Sequence, residues 1–351
     1  MTDVFSHPSY DNHEQVLFVS DEESGLKGII GIHSTALGPA AGGCRMYPYM
    51  STEDALKDVL RLSRGMTMKN SATGIPVGGG KCVIIGDPNS PQKEARLRAM
   101  ARHVQRLGGS YWTAIDVGVS AEDADTMAEE CDYIFARASQ FETDFPPAKF
   151  TSTGGFHGVR AATTFLRGSD DMTGLRVAVQ GVGQTGADLI AQMSARGADI
   201  VATDVNKEAL ARMVSDFGVT AVAPNEIYAQ DVDVFAPCAM GGILNDDTLP
   251  QLKCKAIAGL ANNQLETPAH GQRLLDMGIA YAPDFIVNGG GITACAMPIF
   301  TTFNKQDGLK RVEAIYDVTL DILQRSMAEG TPSELLAEKI AMGRIAQAKA
   351  A

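Results

Sequence analysis

The sequence has no long apolar run and no excess of positive charge. Its uninterrupted apolar stretches are too short to span a bilayer, so we expect no membrane segment. Lysine and arginine together number 30, against 42 aspartate and glutamate residues, which gives a net charge of -12. Because polyanions attract clustered lysine and arginine, this balance argues against nucleic acid and anionic membranes as partners.

Cysteine is scarce, and no two cysteines stand in a C-x-x-C pair. The six are Cys44, Cys82, Cys131, Cys238, Cys254 and Cys295. Scattered in this way, they indicate neither a disulfide framework nor a zinc site, and the six histidines show no metal-ligand spacing. The opening residues, MTDVFSHPSYDNHEQ, lack the basic and apolar regions of a secretory signal. We therefore expect reduced thiols, no bound metal and a cytoplasmic location.

The chain has enough apolar residues for two domains, since 45% of its 351 residues are hydrophobic. Strand-like runs alternate with helix-like runs, which predicts an α/β fold. The predicted strands are 28–33, 82–87, 176–181, 199–204, 233–238 and 255–260, and the predicted helices are 53–69, 93–107, 313–330 and 334–349. Between 140 and 155, a double proline and two glycines predict a domain junction. We therefore expect one domain over 1–145 and a second over 146–330.

The strongest local pattern is RVAVQGVGQTGADLIAQMSARGADIVATD, residues 176–204. A strand leads into G-x-G-x-x-G, a helix follows, and a second strand ends at an acidic residue. In a Rossmann fold, Gly181 makes the tight turn, Gly183 lets the backbone approach a pyrophosphate, and Gly186 lets the helix pack close. The helix N-terminus presents free N–H groups to the phosphates. Asp204 can then bond the adenosine ribose hydroxyls.

This context favours a bound dinucleotide over the alternative, a plain glycine-rich turn with no ligand. Asp204 would repel a ribose 2′-phosphate, and Val205 and Asn206, which follow it, provide no arginine to receive one. The pattern therefore predicts NAD rather than NADP. Because nicotinamide cofactors carry hydride, the protein is predicted to be an oxidoreductase.

A second glycine-rich segment, IPVGGGKCVIIGDP at 75–88, ends in Lys81. The spacing excludes a P-loop, which has glycine five positions before its last glycine and Ser or Thr after its lysine. Here Ile75 and Cys82 stand at those positions. The segment alone favours a glycine-rich turn before a buried strand, with the lysine side chain in solvent.

Several longer motifs occur in one order along the chain. They are LGPAAGGCRM (37–46), LSRGMTMKN (62–70), GGGKCVIIGDP (78–88), DVFAPCAMGGILND (233–246), GLANNQL (259–265) and GIAYAPDFIVNGGG (278–291). Over almost its whole length the chain resembles the Glu/Leu/Phe/Val dehydrogenases, and most closely their leucine dehydrogenase branch. The resemblance implies reversible oxidative deamination of an L-amino acid to a 2-oxo acid and ammonia.

The resemblance also implies an architecture. The first domain would bind substrate and mediate oligomerisation, the second would be a Rossmann NAD-binding domain, and a cleft between them would hold the active site. The C-terminal helix over 331–351 would return to the first domain. The protein would be a homo-oligomer, either a dimer or an octamer.

Residue roles follow from the same resemblance. Lys69 would hold the substrate carboxylate, Lys81 would be the catalytic lysine, and Asp116 would handle protons at the substrate nitrogen. The other implied substrate residues are Ala41, Gly42, Gly43, Ala114, Asn262, Ile292 and Cys295. The implied cofactor residues, besides the three loop glycines and Asp204, are Gln184, Thr185, Val205, Cys238, Ala239, Asn262 and Asn288.

These residue types suit the chemistry. The carboxylate of a zwitterionic amino acid needs a cation, which Lys69 provides. Hydride leaves the α-carbon only when the nitrogen lone pair is free, and water must then add and lose a proton. A lysine that has lost its own proton can act as this base, and the nearby cation Lys69 favours that loss. Asp116 can carry the amine proton and bind ammonium.

The chain departs from the leucine dehydrogenase pattern near the implied side-chain pocket. Ala41 stands where a larger aliphatic residue is usual, Ile115 replaces a glutamate, and Ala294 replaces an asparagine. A pocket change of one or two methylenes alters substrate preference by only ~1–3 kcal/mol. The departures therefore leave two substrates open: a branched-chain aliphatic amino acid, or an aromatic or larger one.

Other interpretations remain open from sequence. Lys69 could merely complement the dipole at a helix C-terminus, and Asp116 could cap a turn. The protein could also be a non-catalytic NAD-binding sensor. An intact set of Lys69, Lys81 and Asp116 argues against a sensor, which would not need those three side chains.

Overall fold

The computed structural model describes residues 3–142 and 145–350, which divide into two compact units. The first unit contains the residues up to Pro146 together with Cys295–Phe303 and the residues from Ala341 onward. The second contains Pro147–Ala294 and Asn304–Ile340. Each unit is built on its own sheet.

The sheet of the first unit has five strands. They are β1 (Gln15–Asp21), β2 (Leu26–Ser34), β3 (Ala40–Tyr47), β4 (Gly78–Ile85) and β5 (Tyr111–Ala114). Their order is β1-β2-β4-β3-β5. β2 is antiparallel to both β1 and β4, whereas β3 is parallel to β4 and β5. The sheet is therefore mixed, with β4 at its centre.

Helices cover both faces of this sheet. They are α1 (Thr52–Ala72), α2 (Lys93–Gln105) and α3 (Ala121–Ala128). Because successive strand residues face opposite sides, Val83 packs with α1 while its neighbour Ile84 packs with α2. The Ser51 hydroxyl caps α1 by accepting the Asp54 N–H at 3.1 Å.

The second unit has six parallel strands. They are β6 (Arg176–Gln180), β7 (Asp199–Thr203), β8 (Thr220–Ala221), β9 (Val234–Pro237), β10 (Ala256–Ile257) and β11 (Ala280–Tyr281). Their order is β11-β10-β9-β6-β7-β8. Numbered along the unit, this is the 6-5-4-1-2-3 order of a Rossmann fold, in which ligands bind where the strand order reverses.

The remaining helices are α4 (Pro147–Arg167), α5 (Gln184–Ser194), α6 (Lys207–Phe217), α7 (Pro268–Asp276), α8 (Asp284–Val287), α9 (Gly290–Cys295), α10 (Lys305–Glu329) and α11 (Ser333–Ala350). Short 3-10 turns occur at Val4–Ser6, Ala138–Gln140, Leu249–Gln251 and Met297–Ile299. Both α6 and α10 end at glycines with left-handed backbone, Gly218 (φ 68°) and Gly330 (φ 64°).

The fold class predicted from the alternating pattern is confirmed, and each predicted strand and helix overlaps an observed one. The strand predicted at 255–260 is reduced to Ala256–Ile257, and α10 begins eight residues before the predicted start, at Lys305 rather than 313. Within the described residues, no helix is long and apolar enough to cross a membrane.

Helix α11 contacts the end of α1. The Ser71 hydroxyl donates to the Ala341 carbonyl at 2.8 Å, and the Arg344 guanidinium donates to the carbonyls of Ser71 at 2.5 Å and Ala72 at 3.0 Å. The last carbonyls of an α-helix lack intrahelical partners. Arg344 therefore satisfies groups that α1 leaves open.

Candidate active site

Lys81 is buried in the central strand of the first unit. Every residue of β4 except the last is buried, and Lys81 is only 6% exposed. The glycine-rich segment taken alone favoured a lysine side chain in solvent, and that interpretation was wrong. Lys81 Nζ lies 2.7 Å from Oδ2 of Asp116, which follows β5. The structure thus joins the two residues that the resemblance implied as catalytic.

Asp116 is fixed by a tight turn and by a second cation. Its backbone bridges to Val119, and Gly118 between them adopts φ 78° against the Met46 carbonyl. Arg45 Nε donates to the same oxygen, Oδ2, at 3.0 Å. Burial raises the pKa of Asp116, but the charges of Lys81 and Arg45 outweigh it and lower the pKa to about 2. The side chain is therefore a carboxylate at any physiological pH.

Arg45 was not singled out in the sequence. Its Nη1 donates to Oδ2 of Asp58 at 2.9 Å, and the Tyr49 hydroxyl donates to that same oxygen at 2.6 Å. One sequence signal was available. Arg45 lies two residues after Gly43, and strand periodicity puts them on one face of β3. The register pairs Arg45 with Val83, two residues after Lys81, so Arg45 and Lys81 share a face of the sheet.

Lys69 is half-buried in the last turn of α1. The helix lies close to β4, because a Cβ added to Gly79 would overlap Thr67. The next residue, Asn70, is fully buried, and its Nδ2 donates to the carbonyls of Gly78 at 2.6 Å and Ala41 at 3.3 Å. The end of α1 is thus fastened to the two strands that carry Lys81 and Ala41.

The glycines around Lys81 make room for other parts of the protein. A Cβ at Gly78 would overlap the Ser34 carbonyl, one at Gly42 would overlap the Gly80 carbonyl, and one at Gly80 would lie 2.6 Å from the Tyr111 ring. A Cβ at Gly43 would overlap the Ile115 carbonyl. These glycines therefore allow strands β3, β4 and β5 to bring Lys81 and Asp116 together.

Two of the implied pocket residues, Ala41 and Ala114, are buried on β3 and β5. In the strand register, Ala114 is opposite Gly43 and Ala41 is opposite Trp112. Ile292 and Cys295 lie on α9. Cys295 is 3% exposed, and burial raises the pKa of its thiol to about 12, so it packs as a neutral group.

In the second unit, the glycine loop joins β6 to α5. Gly181 adopts φ 99°, a left-handed conformation that favours glycine, and its N–H donates to the Thr203 carbonyl at 2.8 Å. A Cβ at Gly186 would overlap the Gly181 carbonyl, whereas a Cβ at Gly183 would meet nothing within 4 Å. Helix α5 begins at Gln184 and Thr185 without a side-chain cap. Within the described residues, no side chain therefore caps its first N–H groups.

Asp204 lies beside this loop at the end of β7. Its Oδ2 accepts the Val182 N–H at 2.6 Å and its Oδ1 accepts the Asn206 N–H at 2.7 Å. Val205 is 89% exposed. A carboxylate held in this way keeps a lone pair on each oxygen for a ligand hydroxyl.

The remaining implied cofactor residues follow β9 and α8. The Cys238 N–H donates to the Gln180 carbonyl at 2.7 Å, and the Ala239 side chain fills the space beside Gly181. Asn288 Nδ2 donates to Oδ1 of Asn262 at 2.9 Å. Oδ1 of Asn288 is buried and has no hydrogen-bond partner within the described residues. The open Gly183, the uncapped helix and this oxygen fit a bound dinucleotide.

Family models match most of the chain. Residues 13–140 match the Glu/Leu/Phe/Val dehydrogenase dimerisation domain, and residues 203–350 match the Glutamate/Leucine/Phenylalanine/Valine dehydrogenase domain. The chain belongs to the Glu/Leu/Phe/Val dehydrogenase family. It is thus an amino-acid dehydrogenase, an oxidoreductase, as the resemblance implied.

The relatives of this chain are named for amino acids with different side chains. The chain is 46% identical to a leucine dehydrogenase from Geobacillus stearothermophilus, with 98% of this chain and 93% of the relative aligned. It is 42% identical to a valine dehydrogenase from Streptomyces virginiae, covering 98% and 95%. The crystal structure of L-tryptophan dehydrogenase from Nostoc punctiforme superposes with a TM-score of 0.85 at 40% identity, covering 96% and 97%.

Proposed function

We propose that this enzyme catalyses the NAD-dependent, reversible oxidative deamination of a branched-chain aliphatic, leucine-like L-amino acid. The products are the 2-oxo acid and ammonia. The observation that carries the proposal is the buried Lys81–Asp116 ion pair, because a lysine only 6% exposed beside a carboxylate is an arrangement suited to proton transfer. The similarity to leucine and valine dehydrogenases supports the aliphatic substrate.

Three side chains of the first unit have distinct roles in this reaction. Lys69 binds the substrate carboxylate. Lys81 removes the proton from the water that adds to the iminium carbon. Asp116, a carboxylate because the charges of Lys81 and Arg45 lower its pKa, binds the substrate ammonium and takes its proton, so that the nitrogen lone pair is free when the hydride leaves.

The backbone of Gly42 and Gly43 lies along the substrate in this proposal, and four side chains surround the rest of it. Those side chains are Ala41, Ala114, Ile292 and Cys295. Asn262, held by Asn288 at 2.9 Å, would lie near the nicotinamide and the substrate amine.

A bound NAD would supply the acceptor for the α-carbon hydride. Gly181, Gly183 and Gly186, with the first turn of α5 at Gln184 and Thr185, hold the pyrophosphate. Asp204 binds the adenosine ribose and rejects a 2′-phosphate, and Val205, Cys238 and Ala239 line the same end of the sheet. The two backbone N–H groups that orient Asp204 support this assignment.

A second substrate class has two observations in its favour. Ala41 is smaller than the aliphatic residue usual in leucine dehydrogenases, and a relative of 40% identity is a tryptophan dehydrogenase. The alternative is therefore the same reaction on an aromatic, phenylalanine-like or larger, amino acid.

We further propose that the protein is a cytoplasmic homo-oligomer, either a dimer or an octamer. The dimerisation-domain match supports the homo-oligomer, and the six free cysteines support the cytoplasmic location.

The test is NADH formation across all L-amino acids at alkaline pH. Turnover with leucine, isoleucine and valine supports the first proposal, and turnover centred on phenylalanine or tryptophan replaces it with the second. Lys81→Ala should abolish turnover while NAD still binds. Lys27→Ala, which removes an exposed lysine from β2 of the same sheet, should leave turnover unchanged. NAD binding without turnover in the wild-type protein would instead favour a sensor.

A further inference from the structure

One oxygen of Asp116 has two cationic partners. Lys81 Nζ lies 2.7 Å from Oδ2, and Arg45 Nε lies 3.0 Å from the same atom. The function proposed above assigns roles to Lys81 and Asp116 but none to Arg45. An arginine side chain only 23% exposed, in contact with the central carboxylate, requires an explanation.

Arg45 is held from its other side. Its Nη1 donates to Asp58 on α1 at 2.9 Å, and the Tyr49 hydroxyl donates to the same Asp58 oxygen at 2.6 Å. Burial and the charge of Asp58 raise the pKa of Tyr49, so its hydroxyl remains a donor. The guanidinium is thus fixed between two carboxylates, with one nitrogen on each.

The charges alternate along this network. In the order Asp58, Arg45, Asp116 and Lys81, each carboxylate is next to a cation. If Asp116 had Lys81 as its only cationic partner, loss of the lysine proton would leave a buried carboxylate uncompensated, which is costly. Arg45 provides the compensation, because arginine keeps its charge at all relevant pH values.

We propose that Arg45 is the positioning residue of the Lys81–Asp116 pair, which it serves in two ways. It holds Oδ2 of Asp116 in place, and it allows Lys81 to lose its proton without isolating the carboxylate. This inference rests on the proposed function and adds to it a residue that touches neither substrate nor cofactor.

Other ionisable groups also lie near this pair. The Cys44 thiol on β3 lies near both charges and the Cys82 thiol on β4 lies near Lys81, while the Val117 N–H, which does not ionise, also bonds Asp116. The hydrogen bond with the Cys82 thiol, together with burial, raises the pKa of Cys44, so Cys44 stays neutral and cannot replace Arg45. Asp58 and Tyr49 act on the pair through Arg45.

The test compares Arg45→Gln with Arg45→Lys in the full-length enzyme. Arg45→Gln should lower kcat for deamination by about tenfold to a hundredfold at mildly alkaline pH, and should move the midpoint of the kcat–pH profile upward by about one unit. The Kd for NAD should not change. Arg45→Lys restores the charge and should return the midpoint close to the wild-type value. The control, Arg61→Gln, removes an exposed arginine of α1 and should alter neither quantity.

Two further measurements keep the proposal falsifiable. Asp58→Asn removes the outer anchor without removing Arg45 and should lower kcat by less than Arg45→Gln does, a measurement that applies even if Arg45→Gln does not fold. Carbon-13 NMR of the Asp116 carboxyl should show its pKa rising in Arg45→Gln, a result that does not depend on turnover.

The outcomes separate the two proposals. A wild-type enzyme that turns over no amino acid would refute the proposed function, and the NMR titration would still test the Arg45–Asp116 coupling. Turnover with an unshifted midpoint in Arg45→Gln, or an unchanged Asp116 titration, would overturn the role of Arg45. A uniform loss of kcat at every pH would make Arg45 merely structural and would overturn it as well.

Discussion

Two glycine-rich segments, VGGGK at 77–81 and GVGQTG at 181–186, differ in what occupies the space that their missing side chains leave. Around Gly78, Gly79 and Gly80 that space is filled by Ser34, Thr67 and Tyr111 of the same unit. Beside Gly183, no atom of the described residues other than its chain neighbours lies within 4 Å of an added Cβ. In the first segment the protein packs against itself, and in the second the backbone is open to a ligand.

The difference shows that the glycines alone predict a close approach, whereas the neighbouring elements determine which group approaches. Both segments follow the rule that glycine permits close approach. Only the surrounding elements tell which group approaches. For the second segment the strand, helix and acidic residue are next to it in the chain. For the first, two of the approaching groups come from β2 and β5, which are distant in the chain, and the third comes from the preceding helix α1, whose close approach no local pattern marks.

The largest expected effect comes from Gly80→Ala, which tests whether protein atoms fill the space beside Gly80. The new methyl group would lie 2.6 and 2.7 Å from Tyr111 ring carbons and 3.2 Å from the Ala40 Cβ. We expect the free energy of unfolding to fall by about 3 kcal/mol, as for an overpacked core, measured by urea denaturation. The control is Gly65→Ala in α1, where nothing lies within 4 Å, and which should not destabilise the protein. Equal stability of the two variants would mean that Gly80 is not packed as described.

The next effect concerns the residue that the open loop holds. Asp204→Ser removes the carboxylate but leaves the glycine loop intact. We expect kcat/KM for NAD to fall by about thirtyfold, with a smaller fall or a gain for NADP, since repulsion of the 2′-phosphate is lost. Asp199→Asn, at the exposed opposite end of β7, serves as the control. An unchanged NAD-to-NADP ratio in Asp204→Ser would refute the ribose assignment.

Gly183→Ala tests the second segment, where the space beside the glycine is open rather than filled. Gly183 has φ -66° and free space around it, so alanine fits the folded protein. The free energy of unfolding should stay within about 0.5 kcal/mol of the wild-type value. The KM for NAD should rise by about tenfold, because the methyl group enters the space reserved for the pyrophosphate. A stability loss comparable to that of Gly80→Ala would erase the distinction between the two segments.

The smallest effect involves a third glycine, Gly271, which makes room for the Glu334 carboxylate. Burial, with the nearby charges of Glu338 and Asp284, raises the pKa of Glu334 from 4.5 to about 7. The folded state therefore holds this proton more tightly than the unfolded state. Stability from this group is complete below pH 4.5 and is lost as the pH rises toward about 7.

Glu334→Gln should remove that pH dependence. We expect it to stabilise the protein by about 1–2 kcal/mol in mildly alkaline buffer and to have little effect in acid, since glutamine resembles the protonated acid. Urea denaturation at several pH values measures the difference. A Glu334→Gln variant that is less stable than wild type in alkaline buffer would show that the carboxylate has a cationic partner.

Local patterns were sufficient for much of the fold. The Rossmann half was predictable because its strand, loop, helix and Asp204 are consecutive, and the family, confirmed by the matches, was carried by motifs such as GGGK and GLANNQ. Arg45 was missed because its importance depends on a parallel pairing between β3 and β4, across the whole of α1. The burial of Lys81 did not follow from its local segment, since a lysine after three glycines has no local mark of burial.

Helix α11, which is synthesised late, contacts the end of α1, which is synthesised early. Ser71 and Ala341 are hydrogen-bonded across a sequence separation of 270 residues, and residues 295–303 also belong to the first unit. During synthesis the second unit can therefore complete most of its sheet before the first unit has all of its parts. A premature stop codon before Ala341 would therefore remove contacts of α1 and so affect the unit that is encoded first.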